Sequence, residues 1–501
     1  MAYLETKKYL SSTIGFLVIV LCLFPAMDDA TAVWLNHGAD IRNTRSAKGE
    51  VLINRLTVKN LRLKWTFFAG KDISATPAIA NGVVYFPSWN GFLYAVNAFN
   101  GALIWKQNLG QLTGLNGTGI VVNVTVSRST PTIADDLLLV GIYGPAVVIA
   151  VTRATGRLVW STQLDPRPRA QITQSGTFYD GAFYVGVSSL EVGLPANQCC
   201  TFRGSMAKLN VRTDTTIWRT YTLPDNEGQL GGYSGAAIWG SSPAIDVTRR
   251  LVYVGTGNLY TAPREVTQCQ EAQNNQTTKP AQPDLSSGQI STSTQFWLSI
   301  SILEGLNGPN LDADFGEAPM LLTITANRTR RDVAVAVQKS GFAWALDRDD
   351  GSIVWSKGGG IWGAATDERT VYTNIANSNR ERFTLALSNQ TTTVGAWVAL
   401  DANSGQILWS TANPSNEAAQ GPVTIVNDVL FAGSVAPYGP IYAMDAKTGN
   451  ILWSYDTGAT VYGGVSASYG CIYLGNGYSI GLARFHPSWT GGTSLYAFCV
   501  A

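Results

Sequence analysis

The chain is poor in histidine and in charged residues, and both shortages argue against whole classes of function. His37 and His486 are its two histidines, too few for histidine-based catalytic triads or clusters of histidine metal ligands. The C-x-x-C-H segment that attaches a c-type haem is missing. Charged residues make up 14%, and 35 basic against 34 acidic residues leave a net charge of +1. Because no basic stripe occurs, we expect no nucleic-acid partner.

Long hydrophobic runs are confined to the N-terminus. Lys7 and Lys8 precede the apolar segment TIGFLVIVLCLFPA, and the small residues Ala30-Thr31-Ala32 follow as a cleavage site. Residues 1–32 are therefore predicted to be a signal peptide, with a single domain over 33–501. The run is short for a membrane span, and the alternative is an uncleaved anchor. We expect a secreted or endomembrane-lumen protein with no stable membrane span.

The remaining cysteines and the sequons fit an exported protein. If Cys22 is removed with the signal peptide, five cysteines enter an oxidising compartment. This odd number leaves at least one thiol without an intramolecular partner. Five N-x-S/T sequons predict a glycoprotein, at Asn116, Asn123, Asn275, Asn327 and Asn389.

Glycine and tryptophan, in contrast, are abundant, and they recur in one pattern. The 51 Gly and 15 Trp suit many short strands joined by tight turns. A turn with Gly, an apolar pair and then Trp occurs as FNGALIW, TGRLVW, DGSIVW, SGQILW and TGNILW. Weaker copies end at Trp65 and Trp218. Alternating segments such as FLYAVNA and FAWALDR precede many copies, so each repeat is predicted to be a hairpin.

The spacing of these tryptophans predicts an all-β, eight-bladed β-propeller. Neighbouring copies lie about 40 to 58 residues apart, and the gap from Trp218 to Trp355 is about two repeats wide. Seven clear copies and a degenerate fifth copy suit small sheets arranged around a ring. A WD40 propeller is the nearest rival, but Trp-Asp does not recur, and a helical period that would indicate a solenoid is missing.

The two ends of the chain are predicted to share one blade. The head supplies NLRLKW without strands before it, and the tail supplies strands without a final Trp. Sharing a blade removes a free sheet edge. Cys471 and Cys499 fall on strands of this blade, and we predict a disulfide between them.

From about residue 34 to the end, the tryptophan-ended repeat resembles the quinoprotein alcohol dehydrogenases, in particular polyvinyl-alcohol-dehydrogenase-like proteins. That family consists of eight-bladed propellers that use pyrroloquinoline quinone (PQQ) and calcium. The resemblance implies a PQQ- and calcium-dependent oxidoreductase acting on a small-molecule or polymeric alcohol. Because a haem motif is missing, it also implies an external electron acceptor.

The resemblance assigns the metal site and the base to three residues. Glu191 in YVGVSSLE and Asn258 in LVYVGTGNLY match the family's calcium ligands, and both supply the oxygen atoms that a hard cation needs. DADFGEAP resembles the segment with the catalytic aspartate. Asp314 fits better than Asp312 because it directly precedes Phe315, so it is predicted to be the catalytic base and a metal ligand. The competing interpretation is a surface glutamate, a turn asparagine and a solvated acidic turn.

Three further matches concern the cofactor. Trp239 in AAIWGSSPAID matches the tryptophan on which the quinone ring lies. Lys339 in AVQKSGFAWALDRDDG matches the basic residue at the quinone oxygens, and Thr173 in QITQSG matches a hydroxyl contact. The competing interpretations are a core tryptophan for Trp239 and an exposed lysine for Lys339.

Two features depart from the family pattern. The family has a vicinal disulfide against the cofactor, but VTVSRSTPTI, the matching segment, has no cysteine. Cys199 and Cys200 instead follow Glu191, and we expect them at the mouth of the funnel in contact with the cofactor. Alternatively, they bond elsewhere, or to each other without a ligand. Residues 286–310 replace the expected strand, turn and Trp. The alternative function is therefore a non-catalytic secreted propeller that binds a polymer or protein after loss of the redox site.

Overall fold

Short antiparallel strands make up most of the structure, a computed structural model. It describes residues 33–268, 298–300, 314–326, 328–358, 360 and 363–500, and of 298–300 only the backbone. The predicted signal peptide lies outside the described residues, as do Cys269, Asp312, Asn275, Asn327 and most of 286–310. Among the helices of the described part, none is long and apolar enough to cross a membrane.

The first half of the described chain forms three blades, named A to C. A short 3-10 turn, Val58–Asn60, and strand β1 (Leu61–Phe68) come first. Blade A consists of β2 (Ala78–Ala80), β3 (Val83–Pro87), β4 (Phe92–Asn97) and β5 (Leu103–Asn108), and helix α1 (Leu109–Thr113) follows. Blade B consists of β6 (Thr132–Ala134), β7 (Leu137–Gly141), β8 (Ala146–Thr152) and β9 (Leu158–Asp165). Blade C consists of β10 (Ala170–Gln171), β11 (Thr177–Tyr179), β12 (Ala182–Ser189), β13 (Ser205–Asn210) and β14 (Thr216–Tyr221), with a 3-10 turn at Glu191–Gly193.

A smaller pair of sheets separates blade C from the next blade. Strands β15 (Ser234–Gly235) and β18 (Leu259–Thr261) pair with each other. Strands β16 (Ala244–Asp246), β17 (Leu251–Gly255) and β19 (Leu298–Ile300) form a three-stranded sheet in which β19 runs parallel to β17.

The second half forms four more blades, D to G. Blade D consists of β20 (Met320–Ala326), β21 (Thr329–Val337), β22 (Phe342–Asp347) and β23 (Ile353–Gly358). Blade E consists of β24 (Ala365–Thr366), β25 (Thr370–Ile375), β28 (Ala396–Asp401) and β29 (Ile407–Ala412), with β26 (Phe383–Thr384) and β27 (Thr391–Thr392) as a small hairpin between them. Blade F consists of β30 (Thr424–Val426), β31 (Val429–Gly433), β32 (Pro440–Asp445) and β33 (Ile451–Asp456). Blade G combines β1 with β34 (Ser466–Ser468), β35 (Cys471–Gly475) and β36 (Ser494–Val500), and a 3-10 turn spans Gly481–Phe485.

The all-β propeller is as predicted, but the prediction of eight blades is wrong. The described residues form seven blades, A to G, each an antiparallel sheet with four rows of strands. At the place of the predicted fifth blade lies the three-stranded sheet with its parallel strand. The reason is local, because the sequence between β17 and β20 lacks the alternating strand, Gly turn and Trp that fold the other blades.

Ring closure by the two chain ends is confirmed. β1 pairs antiparallel with β36 from Leu61 opposite Val500 to Phe68 opposite Ser494. Cys471 and Cys499 lie opposite each other on β35 and β36, and they form the predicted disulfide, with their Cα atoms 3.9 Å apart. The blade therefore gains both sheet pairing and a covalent link at the seam of the ring.

In five of the seven repeats, the tryptophan docks on the neighbouring blade. Its indole N–H donates to a backbone carbonyl beside that blade's Gly turn, in the pairs Trp65–Ala98 (2.9 Å), Trp105–Arg153 (2.8 Å), Trp160–Val211 (2.8 Å), Trp355–Ala402 (3.0 Å) and Trp409–Ala446 (2.9 Å). The turn glycine has positive φ, and a Cβ on it would meet the ring, as at Gly101 against Trp65. The repeat thus encodes contacts between blades as well as the hairpin itself.

The N-terminal segment 34–50 runs along the innermost strands of the ring. Its backbone forms hydrogen bonds to one sheet after another, namely Trp34 to Ile79 (2.8 Å), Leu35 to Ile133 (2.8 Å), Ile41 to Ile245 (2.7 Å), Arg42 to Leu321 (3.1 Å), Thr44 to Thr366 (2.9 Å) and Ala47 to Ile425 (3.0 Å). These bonds satisfy groups on the inner edges that the sheets leave open. The segment therefore forms one wall of the space around the axis.

Candidate functional site

A cavity lies at the centre of the ring, where loops leading into the innermost strands meet. Its lining residues come from the N-terminal segment, from blades A, B, C, F and G and from the loop before β16: His37, Ser74, Ala75, Thr76, Arg128, Thr130, Thr173, Ser175, Trp239, Gly240, Ser241, Pro422, Tyr462 and Gly464. Serine, threonine, histidine and arginine side chains converge on this cavity, and concave sites with convergent polar groups are where proteins bind small molecules.

Asp314 is the hub of a polar cluster beside this cavity. Its Oδ2 accepts hydrogen bonds from the Trp239 indole N–H at 3.1 Å and from Lys339 Nζ at 3.0 Å, the latter an ion pair. Its Oδ1 accepts a bond from the backbone N–H of Asn258 at 2.6 Å. Asp314 is only 7% exposed, so these charge-assisted bonds are shielded from water. The structure thus brings together four of the predicted site residues.

The elements around the cluster explain why it forms. Trp239 lies in the loop before β16, Asn258 lies between β17 and β18, and Asp314 lies before β20. Lys339 follows β21, and its backbone N–H donates to the Asp314 carbonyl at 2.9 Å. Lys339 Nζ also lies 5.0 Å from the centroid of the half-buried Trp239 ring. One indole face and a cation therefore lie side by side, a combination that suits a flat ligand that carries anionic oxygens.

Thr173 supports the same tryptophan from blade C. Its hydroxyl donates to the Trp239 carbonyl at 2.8 Å and shares a 2.9 Å hydrogen bond with the Ser188 hydroxyl. Thr173 also lines the cavity. The predicted hydroxyl contact is thus in place to face a ligand, although its present bonds are to the protein.

Glu191, Cys199 and Cys200 form a second group, just beyond the end of β12. Glu191 Oε2 accepts hydrogen bonds from the backbone N–H groups of Thr201 and Phe202, at 2.8 and 2.9 Å. The two cysteines form a vicinal disulfide, which rules out the alternative that each bonds elsewhere. Neither cysteine is among the cavity-lining residues of the described chain, and the cofactor contact stays a prediction.

Tyr260 links the two groups. Its hydroxyl donates to the carbonyl of Ser189 at 3.2 Å, and its ring stacks on Phe202 with centroids 6.4 Å apart. Because Tyr260 follows Asn258 by two residues and Ser189 precedes Glu191 by two, two of the three predicted metal ligands, Glu191 and Asn258, belong to adjoining segments. Within the described residues, no three His, Cys, Asp or Glu side chains cluster closely enough to hold a metal by themselves.

The residues present fit a hard cation and a carboxylated quinone. In the described structure Glu191 Oε1 carries no hydrogen bond, and carboxylate and amide oxygens are the donors that calcium prefers. The cavity offers Arg128 as a cation and Thr130, whose buried hydroxyl has no partner among the described residues. An orphaned buried hydroxyl has a free-energy cost that a ligand acceptor would remove.

Arg128 is the site residue that sequence reasoning missed. Its guanidinium donates to the Tyr478 hydroxyl at 3.1 Å and lies in the cavity lining. Arg128 sits in VTVSRSTPTI, the segment noted above only for its missing cysteine. The sequence did offer a signal for Arg128. The chain has few charged residues, and this arginine lies just before β6, the innermost strand of blade B.

Comparison with known proteins identifies the family. The model of the PQQ_2 family, described as outer membrane protein assembly factor BamB, matches residues 47–196 and 339–484, more than half of the chain. Polyvinylalcohol dehydrogenase from Sphingopyxis sp. (strain 113P3) is 27% identical over 488 residues, covering 87% of this chain and 70% of the relative. The enzyme of that name from a Pseudomonas sp. is 27% identical over 500 residues, covering 91% and 73%.

A solved structure supports the fold. The quinohemoprotein alcohol dehydrogenase of Comamonas testosteroni superposes with a TM-score of 0.69 at 18% identity, covering 94% of this chain and 80% of that one. Because the sequence identity is low, this structural similarity is evidence for the fold alone. The chain therefore belongs to the PQQ_2 family, with relatives that include polyvinylalcohol dehydrogenases and a quinohemoprotein alcohol dehydrogenase, as the resemblance of the tryptophan repeat predicted.

Proposed function

We propose that this chain is a PQQ- and calcium-dependent oxidoreductase that acts on alcohol groups. The observation that carries the proposal is the pairing of Asp314 with Lys339 against the Trp239 ring, beside a cavity on the axis of the ring. The relatives named polyvinylalcohol dehydrogenase support an alcohol substrate, small or polymeric.

The cavity residues have distinct proposed roles in holding the quinone. Trp239 offers its ring face as a floor, and Thr173 fixes that loop through the Trp239 carbonyl. Lys339 and Arg128 provide positive charge for the oxygens and carboxylates of the quinone. Cys199 and Cys200 are proposed to approach it from the loop after Glu191. When bound, the quinone supplies the acceptor for the hydride that leaves the alcohol carbon.

The metal would be held by Glu191, Asn258 and Asp314. The two backbone N–H groups on Glu191 Oε2 leave the other carboxylate oxygen available as a ligand. Asp314 is proposed to accept the hydroxyl proton of the alcohol at its carboxylate. Trp239, Asn258 and Lys339 hold this carboxylate in one orientation, which is what a positioned base requires.

An extracytoplasmic setting completes the proposal. Residues 1–32 are proposed to be a signal peptide. Calcium is proposed to be the metal, and an external electron acceptor would re-oxidise the quinone. Sequon residues Asn116, Asn123 and Asn389 are exposed, so glycosylation there meets no steric barrier.

The second candidate is a non-catalytic binding propeller. One observation favours it, the three-stranded sheet that stands in place of a blade directly before the segment of Asp314. If Asp314 were displaced from the reacting alcohol, the protein would keep its fold and its cavity but would not oxidise alcohols.

Reconstitution with PQQ and calcium, followed by alcohol-dependent dye reduction, separates the two candidates. Asp314→Asn keeps an acceptor for one of the present hydrogen bonds but removes the base, so we expect quinone uptake with turnover lowered by roughly 100-fold or more. Asp350→Asn, on an exposed turn of blade D, is the matched control and should keep full turnover. Full turnover in Asp314→Asn would exclude it as the base, and a wild-type protein that binds quinone yet oxidises no alcohol would favour the binding propeller.

A further inference from the structure

The segment that follows Glu191 folds back and donates backbone hydrogen bonds to the Glu191 carboxylate. Glu191 and Cys200 are 7% and 0% exposed, and the two N–H donors to Glu191 Oε2, from Thr201 and Phe202, directly follow Cys200. Cys200 Sγ also lies 3.4 Å from the backbone carbonyl oxygen of Glu191. Because a disulfide sulfur has no hydrogen to donate, this is a packing contact. The disulfide thus touches the same residue whose carboxylate the next two residues bind.

The two N–H donors are held in different ways. The N–H of Phe202 shares a peptide plane with the Thr201 carbonyl, which accepts a bond from Asn226 Nδ2 at 2.9 Å. The N–H of Thr201 shares its plane with the carbonyl of Cys200, so its direction depends on how Cys200 is held. Cys200 is joined to Cys199, whose own N–H donates to the Pro195 carbonyl at 3.0 Å.

We infer that the Cys199–Cys200 disulfide is a positioning element for Glu191: it fixes the Thr201 N–H on one carboxylate oxygen so that the other faces the cation. This inference rests on the proposed function, since it gives Glu191 its role as a metal ligand. It assigns the cysteines a task that requires no contact with the quinone. Partners that orient a metal ligand from behind commonly change metal affinity by roughly 10- to 100-fold.

The test compares the two disulfides of the described chain. Cys199→Ser/Cys200→Ser removes the vicinal bond, and Cys471→Ser/Cys499→Ser removes the bond at the seam in blade G, whose strands pair in regular register. The readout is the apparent calcium dissociation constant, measured by titrating calcium at saturating PQQ and following the fluorescence of the quinone. Glu191→Gln is the positive control for loss of the ligand, and thermal midpoints without PQQ monitor folding.

We expect the vicinal variant to need about tenfold more calcium, with the seam variant unchanged in calcium affinity. If the vicinal variant does not fold, phosphine reduction of folded Cys471→Ser/Cys499→Ser protein, in which Cys199–Cys200 is the remaining described disulfide, provides the same comparison. Wild-type calcium affinity in the vicinal variant, with affinity lost in Glu191→Gln, would overturn the inference and leave the proposed function standing. A wild-type protein whose quinone uptake ignores calcium would overturn the metal role of Glu191, and this inference with it.

Discussion

Docking of Trp409 on blade F gives a quantitative test of how the ring is held together. Trp409 is 1% exposed, and its indole N–H donates to the Ala446 carbonyl at 2.9 Å. Trp409→Phe leaves that buried carbonyl without its donor, which costs about 1–3 kcal/mol. The smaller ring adds roughly 1 kcal/mol of lost packing over the Gly449 turn. We therefore expect the free energy of unfolding to fall by about 2–4 kcal/mol.

Trp453 is the matched control, because it occupies the same position of the next repeat. Its neighbour is blade G, where β36 and β1 come from opposite ends of the chain and are not joined by a turn. The half-buried Trp453 ring packs edge-on against Phe498, with centroids 5.3 Å apart. Trp453→Phe should lower the free energy of unfolding by about 1 kcal/mol or less, since no carbonyl loses a hydrogen-bond donor. Urea unfolding followed by tryptophan fluorescence measures both, and equal losses in the two variants would refute the docking argument.

Three further predictions concern stability. Gly449→Ala should cost more than Gly458→Ala, because both have positive φ (74° and 84°) but only at Gly449 would the new Cβ meet another residue, 2.5 Å from a Trp409 ring atom; equal costs in urea would contradict this. Cys471→Ser/Cys499→Ser, which opens a link across 28 residues, should lower the free energy of unfolding by about 2–4 kcal/mol, and an unchanged midpoint would count against it. Burial raises the pKa of Glu317 to about 7 from its usual 4.5, although the N–H groups of Ala364 and Gly363 oppose the shift. The contribution of the protonated carboxyl to stability is therefore present below pH 4.5 and is lost as the pH rises towards 7. Between these pH values, the free energy of unfolding of Glu317→Gln should rise relative to that of the wild type by at most about 3 kcal/mol. A difference between the two proteins that does not change with pH would exclude this.

The repeat and the closure of the ring could be predicted from the sequence because both are local. A Gly turn followed by an apolar pair and Trp specifies a hairpin and, through the indole, a contact with the next blade. The head and the tail each lacked the half that the other supplies. The number of blades could not be predicted by counting tryptophans, because the gap between Trp218 and Trp355 has the length of about two repeats but lacks their pattern. The described part of that gap folds as a three-stranded sheet with a parallel strand.

The candidate site was predictable only in part. Trp239, Asn258, Asp314 and Lys339 come from four separate loops, and their motifs were recognised one at a time. Their meeting at one carboxylate is a property of the ring, which brings loops from distant parts of the chain to one axis. Arg128 was missed for the same reason, since its neighbour Tyr478 lies 350 positions away in the chain. Thr201 and Phe202 bind Glu191 through their backbone N–H groups, and such contacts cannot be predicted from residue types.

The proposed function requires that the cavity on the axis binds a quinone with a metal at Glu191. The most direct measurement is a titration of purified protein with PQQ in the presence and absence of calcium, followed by the absorbance and fluorescence of the quinone. Saturable uptake at micromolar PQQ that depends on calcium, and that falls in Glu191→Gln, is the predicted result. No uptake by the folded wild-type protein at micromolar PQQ, with or without calcium, would contradict the proposed function.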